Sequence, residues 1–173
     1  PPTFPPRRSS DLSWDYVALQ KSGDFDDPRA NGAHMASGFV PSLNAEVFRD
    51  VLGAFEPSPD RATWVAFTHA GGAISRVAPE STAFSHRDKL HSILSVVGWK
   101  EGQDPAADIE YNRQAQRSWK HHTDGFYTND LADETQAEVN STYGKNLARL
   151  VEVKNQYDPT NLFRLNANIQ PTV

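Results

Sequence analysis

LHSILSVVGW, Leu90 to Trp99, is the strongest strand signal in the chain. Its apolar run is nearly continuous and rich in branched side chains, the pattern of a strand buried on both faces. Upstream, AHMASGFV (Ala33–Val40) reads as a second strand, with turn chemistry over Pro28–Gly32 before it and Pro41 after it. WVAFTH (Trp64–His69) reads as a third, with Gly71-Gly72 marking a bend or bulge. AISRVA (Ala73–Ala78) and GFYTND (Gly125–Asp130) complete an expected set of five, and residues 79–89 form a polar loop. Helical spacing fills the gaps. Val47, Phe48, Val51, Leu52 and Phe55 recur behind a capping Asn44, and Pro57 and Pro59 stop them. EGQDP turns into a helix near Ala106–His122. Asp133 with Gln136 makes a capping-box-like start for a helix that buries Val139, Tyr143, Leu147, Leu150 and Val151. Asp158-Pro159 disfavours its continuation.

The order is therefore β-α-β-β-β-α-β-α and an extended C-terminal tail. Grouped rather than alternating elements predict an α+β fold, a mostly antiparallel sheet with helices packed on one face. The other face of such a sheet must meet water, a ligand or a second domain.

Bulk properties exclude several classes. The 173 residues suffice for one domain with a real core. A net charge of −5 with no basic run argues against nucleic acid or an anionic membrane surface as partner. The absence of cysteine excludes disulfides, zinc–thiolate sites and cysteine nucleophiles within this chain. No apolar run approaches the ~20 residues of a membrane span, and no signal-peptide pattern is visible. PPTFPPRRSSDL, residues 1–12, has the composition of a linker and is set aside as a disordered or artefactual leader.

Motif by motif, the chemistry is sparse. Six histidines invite a metal reading. On a helix, however, the adjacent rings of His121 and His122 point about 100° apart, no HExxH pattern exists, and neighbouring carboxylates miss ligand spacing. No metal site is expected. THAGGAISR lacks a dinucleotide or phosphate-loop pattern and reads as a sheet bulge. Arg87, in SHRDKLH, can hold either a carboxylate or a backbone carbonyl. No nucleophile elbow is present.

The C-terminal stretch YGKNLARLVEVKNQYDPTNLFRLNANIQP, Tyr143 to Pro171, adds what composition lacks. It resembles the C-terminal signature of berberine-bridge-enzyme-like FAD-linked oxidases, Y-G-x-N-x-x-R-L-x-x-x-K-x-x-Y-D-P-x-N-x-F-R-x-N-x-N-I-x-P. GGAISRVAPESTAFSHRD is similar to the family's stretch ending in F-x-H-R, and GFYTNDLADE to its Y-x-N segment. The resemblance implies that residues 13–142 are part of a substrate domain. Residues 143–173 would be a segment returning to an FAD domain absent from this chain.

The resemblance also assigns residues. Tyr157, Asp158, Pro159 and Asn161 would form a tight turn after the last helix, with Phe163 as an anchor. Asn166 and Asn168 would offer amides to the cofactor, FAD. Tyr127, Asn129 and Asp130 would be catalytic; Asp130 stands where several members carry a Tyr or His base. Plant alkaloid members have a glutamate on the strand matching Leu90–Trp99. Here that strand has no acid, and the substrate pocket would use His91 and Ser95, with Ser92, and with Arg87 nearby. The implied activity of the parent protein is oxidation of a small-molecule alcohol, sugar or related C–H bond by hydride transfer to FAD, with O2 as acceptor. The alternative is a non-catalytic binding domain that keeps the fold and has lost the base.

Overall fold

β3, His91–Trp99, takes the centre of the sheet, as its apolar run demands. In the computed structural model, which describes residues 15–21, 32–55, 61–130, 135–165 and 167–173, it pairs antiparallel with β1 (Gly32–Val40) on one side and β2 (Ala62–His69) on the other. Ser95 lies opposite both Ala36 and Val65. A short α1 (Tyr16–Lys21) precedes β1. The leader falls outside the described residues.

Period-2 alternation decides which face is covered. Ala36 and Val40 of β1 and Ile93 of β3 point to one side. There they meet Val47 and Val51 of α2 (Ala45–Gly53) and Trp119 at the end of α3 (Ala106–Trp119). Burying a side chain such as Ile93 stabilises by about 1.5–3 kcal/mol. α2 starts where Asn44 caps it: the side-chain oxygen accepts from the N–H groups of Glu46 and Val47, both at 3.0 Å. α3 is fixed on the sheet by a fully buried Asn112, which donates to the His34 carbonyl at 3.0 Å and accepts from the Ser95 hydroxyl at 2.9 Å. At the start of β2, Arg61 pairs with Asp108 at 2.9 Å and lies over the Tyr111 ring. The opposite face is open toward β2, where Trp64 is exposed and Ala66, Ser92 and Leu94 are only part-buried, and is covered at β1, where Phe39 is buried against Phe84 and His86.

Three expectations change. AISRVA is not a strand. Ile74–Arg76 is a single 3-10 turn, because the Arg87 guanidinium draws the Ile74 carbonyl at 3.0 Å and the Thr82 hydroxyl at 2.7 Å, so these loop groups face one another rather than a sheet. The Gly125–Asp130 strand also fails. Asp124 and Gly125 make one pair of backbone bonds with Phe39, at 2.8 and 3.0 Å. Gly125 then takes φ +76° and turns the chain away from β1 into a 3-10 turn over Thr128–Asp130. The last helix is two helices, α4 (Gln136–Tyr143) and α5 (Leu147–Tyr157), joined by a 3-10 turn at Gly144–Asn146.

Those two helices do not join α2 and α3 on the covered face. They pack against the 79–87 loop: Asn146 donates to the carbonyls of Pro79 and Thr82, and Ser85 donates to that of Thr142. A capping box is formed by Thr135 and Glu138; Asp133 lies outside the described residues. The Glu138 carboxyl is held at about 2, chiefly by the Lys120 ammonium, and also by the Thr135 N–H.

Candidate functional site

A hollow of about 180 Å³ lies between the 83–86 loop, the Phe126–Asn129 segment and α4. Its construction explains why the F-x-H-R stretch is there. Phe84 meets the rings of Phe39 and Tyr127 edge-on. His86 stacks on Phe39, with ring centres 4.7 Å apart. Thr142 donates its one proton to the Phe126 carbonyl at 2.8 Å and accepts from the Phe126 N–H at 3.1 Å. Its oxygen must therefore accept from His86 Nε2, 3.0 Å away, which fixes the imidazole as the Nε2–H tautomer. Burial pushes the His86 pKa down, so the ring is held neutral. Arg87, next in the chain, is spent on the loop carbonyl and hydroxyl already described.

Gly125 is the tight point of this construction. A Cβ there would sit 2.2 Å from His86 Cε1, on a backbone already at positive φ. Gly125→Ala is expected to cost about 1–3 kcal/mol and to displace the His86 ring from Phe39. Chemical denaturation measures the first, and the His86 proton chemical shifts the second. Unchanged stability together with unchanged shifts would refute this account of the turn.

Tyr127 and Asn129 come together at the mouth of the hollow, though through a turn and not on a strand. The Asn129 amide donates to the Tyr127 hydroxyl oxygen at 2.8 Å, which directs the hydroxyl proton away from Asn129. Asp130, part-buried, closes the same turn with its N–H on the Tyr127 carbonyl at 2.9 Å. The other expected site residues lie elsewhere. Ser95 is wholly buried on the helix-covered face, and His91 shares its parity, with its ring 5.1 Å from that of His69. Neither reaches the open face, where Ser92 and Leu94 stand instead.

Of the two tail amides, Asn166 lies outside the described residues. Asn168 is buried against α4: its carbonyl accepts from Gln136 at 2.7 Å, and its side-chain oxygen has no hydrogen-bond partner among the described residues. Tyr143 donates to the Ala167 carbonyl, and Asn155 binds Thr172 twice, so residues 167–172 lie back along α4 and α5.

The turn after α5 is locked by Asp158. Its carboxylate accepts from the N–H groups of Leu162 and Phe163, at 2.7 and 3.0 Å, and from Lys154, which also donates to the Phe163 carbonyl at 2.6 Å. The Lys154 ammonium, helped by those N–H groups, holds the Asp158 carboxyl below its usual range. Asn161 adopts φ +55° to close the turn. Beyond it Leu162, Phe163 and Leu165 are exposed by 71, 78 and 84%. Phe163 is not packed as an anchor among the described residues.

Residues 127–170 match the family described as berberine and berberine like. The match begins at Tyr127 and runs through the locked turn. That segment is berberine-like, and the curated relatives of the chain are FAD-linked oxidoreductases and oxidases. It is 28% identical over 158 residues to an FAD-linked oxidoreductase of Dictyostelium discoideum, covering 90% of this chain and 34% of that protein. It is 32% identical over 147 residues to a chitooligosaccharide oxidase of Gibberella zeae, covering 76% and 30%. A solved chitooligosaccharide oxidase shares its fold with a TM-score of 0.71 at 24% identity, over 82% of this chain and 33% of that one. The chain thus spans about a third of the length of the relatives it matches.

Sequence reasoning missed the Lys154–Asp158 lock and the roles of His86 and Thr142. The lock was readable as an oppositely charged i,i+4 pair. The Thr135-x-x-Glu138 box was also there to be read.

Proposed function

We propose that this chain is the substrate-side part of an FAD-dependent oxidase whose substrate is a sugar, oligosaccharide or related alcohol, with O2 as the electron acceptor. The observation that carries the reading is the Tyr127–Asn129 pair and Asp130, gathered into one rigid turn at the mouth of a hollow, where the family match begins. The chitooligosaccharide oxidase relative supports the carbohydrate class.

The residues present fit a flavin approaching from outside the chain rather than one enclosed by it. The hollows here are open and small. The buried side-chain oxygen of Asn168 awaits a donor, and the tail exposes apolar side chains suited to a docking domain. Asn168 would serve on the cofactor side, with Leu162, Phe163 and Leu165 against the polypeptide that carries FAD. When bound, FAD supplies the hydride acceptor.

The rest falls to this chain. The Tyr127 hydroxyl, its oxygen engaged by Asn129, orients the substrate oxygen. The Asp130 carboxylate takes the substrate hydroxyl proton as the C–H hydride leaves, giving a carbonyl product. His86, Thr142 and Gly125 hold the turn still.

The test joins this chain to a flavin domain and mixes the product anaerobically with mono- and oligosaccharides and simple alcohols. Bleaching of the oxidised flavin by at least one sugar is the expected result. A protein that binds FAD and is reduced by none of them would leave the non-catalytic binding domain as the better account.

A further inference from the structure

On a regular helix His121 and His122 would point about 100° apart. They do not diverge. α3 ends at Trp119, and Lys120–His122 winds into a 3-10 turn, closed by Thr123 on the Lys120 carbonyl. The two imidazoles lie side by side, with ring centres 3.9 Å apart and planes tilted by 41°. The carboxylate that sequence spacing could not supply arrives from α2, 72 residues away from His122. Asp50 Oδ2 is 2.9 Å from His122 Nε2 and 3.6 Å from His121 Nε2. The other oxygen of Asp50 is occupied by Arg49 at 3.2 Å, so it is Oδ2 that faces both rings.

We propose that Asp50, His121 and His122 form a three-ligand site for a borderline divalent transition-metal ion, zinc being the type case. The site would brace α2 against the end of α3. One ligand atom from each residue lies within 4.8 Å of the other two. Tetrahedral zinc with bonds of about 2.0–2.2 Å needs ligand atoms roughly 3.4 Å apart. The two measured separations, 2.9 and 3.6 Å, bracket that value. A hydrogen bond accounts for His122 alone. It leaves unexplained why His121, on the exposed side of the turn, points its Nε2 at the same oxygen.

Two imidazoles and one carboxylate suit zinc, nickel or copper and not magnesium or calcium, which require oxygen donors. Metal binding at Nε2 needs each neutral ring to carry its one proton on Nδ1: a proton leaves Nε2 to solvent and one is taken up at Nδ1, with no net release. His122 is largely buried and Asp50 part-buried, while His121 is open to water, which gives both a rigid floor and an entry path. Water would take the fourth position. The site has a structural role and is independent of the oxidase reading.

The test is calorimetric titration of the 173-residue chain with zinc, with nickel and with magnesium near neutral pH. One equivalent of zinc or nickel is expected to bind at micromolar concentrations and to raise the melting temperature, while magnesium does neither. His121→Ala changes an exposed side chain and leaves the fold intact. It and Asp50→Asn should each weaken binding about ten-fold or more. No binding at ~100 μM zinc, equal binding of magnesium, or affinity unchanged in His121→Ala would each overturn the proposal. Circular dichroism keeps loss of fold from being mistaken for loss of metal.

Discussion

Asp130→Asn, in the protein joined to a flavin domain, is expected to slow flavin reduction by ~10²-fold or more, the range of a lost general base, while FAD binding persists. The substitution keeps the size of the side chain and removes its charge and basicity. The backbone N–H of Asp130 bonds to the Tyr127 carbonyl, which asparagine retains. A thermal melt of the variant separates a loss in the chemical step from a loss of stability. Tyr127→Phe provides the contrast. It removes the hydroxyl that Asn129 engages, so it should weaken substrate binding and slow reduction less than Asp130→Asn does. Single-turnover reduction under anaerobic conditions reads both. Equal rates in the parent and the Asp130 variant would remove the carboxylate from the mechanism.

Trp119→Ala is expected to cost about 3–5 kcal/mol of stability. Trp119 is fully buried, at the junction of β1, β3, α2 and α3, and is the largest of the wholly enclosed side chains among the described residues. Its indole N–H has no partner among the described residues. That detail separates packing from hydrogen bonding. Trp119→Phe should cost much less than Trp119→Ala, because it leaves part of the volume filled and removes an unsatisfied donor. The damage should also spread to the next residues, since Trp119 anchors the turn carrying His121 and His122. Urea denaturation of the three proteins decides it. A cost below about 1 kcal/mol for the alanine variant would mean that the core is not organised around this indole.

The parts of the fold legible in the sequence are those in which a long apolar pattern has one period. β1, β2, β3 and α2 satisfy that, and Asn44 marks the start of α2 by its own chemistry. The failures share a cause. AISRVA and GFYTND are short runs whose composition suits a strand, and in each a single distant or backbone feature takes over. For the first it is the Arg87 guanidinium, and for the second the positive φ of Gly125.

The site shows the same division. Tyr127 and Asn129 were legible through a motif, but their meeting depends on a turn. Ser95 was placed in the pocket although its parity with Ile93 and Val97, both apolar, already put it on the covered face of β3. His121 and His122 escaped because the third group belongs to α2, and no local spacing encodes that approach.

The Asp158 lock has a consequence for assembly. A chain terminus that must be ordered by its partner charges the association with the entropy of every residue it freezes, about 1–2 kcal/mol for each backbone. Here Lys154 and the amides of Leu162 and Phe163 have already frozen the turn, and Asn155 and Gln136 hold the residues beyond it. A docking surface would therefore meet a backbone already set in place, and more of the contact energy would remain available as affinity.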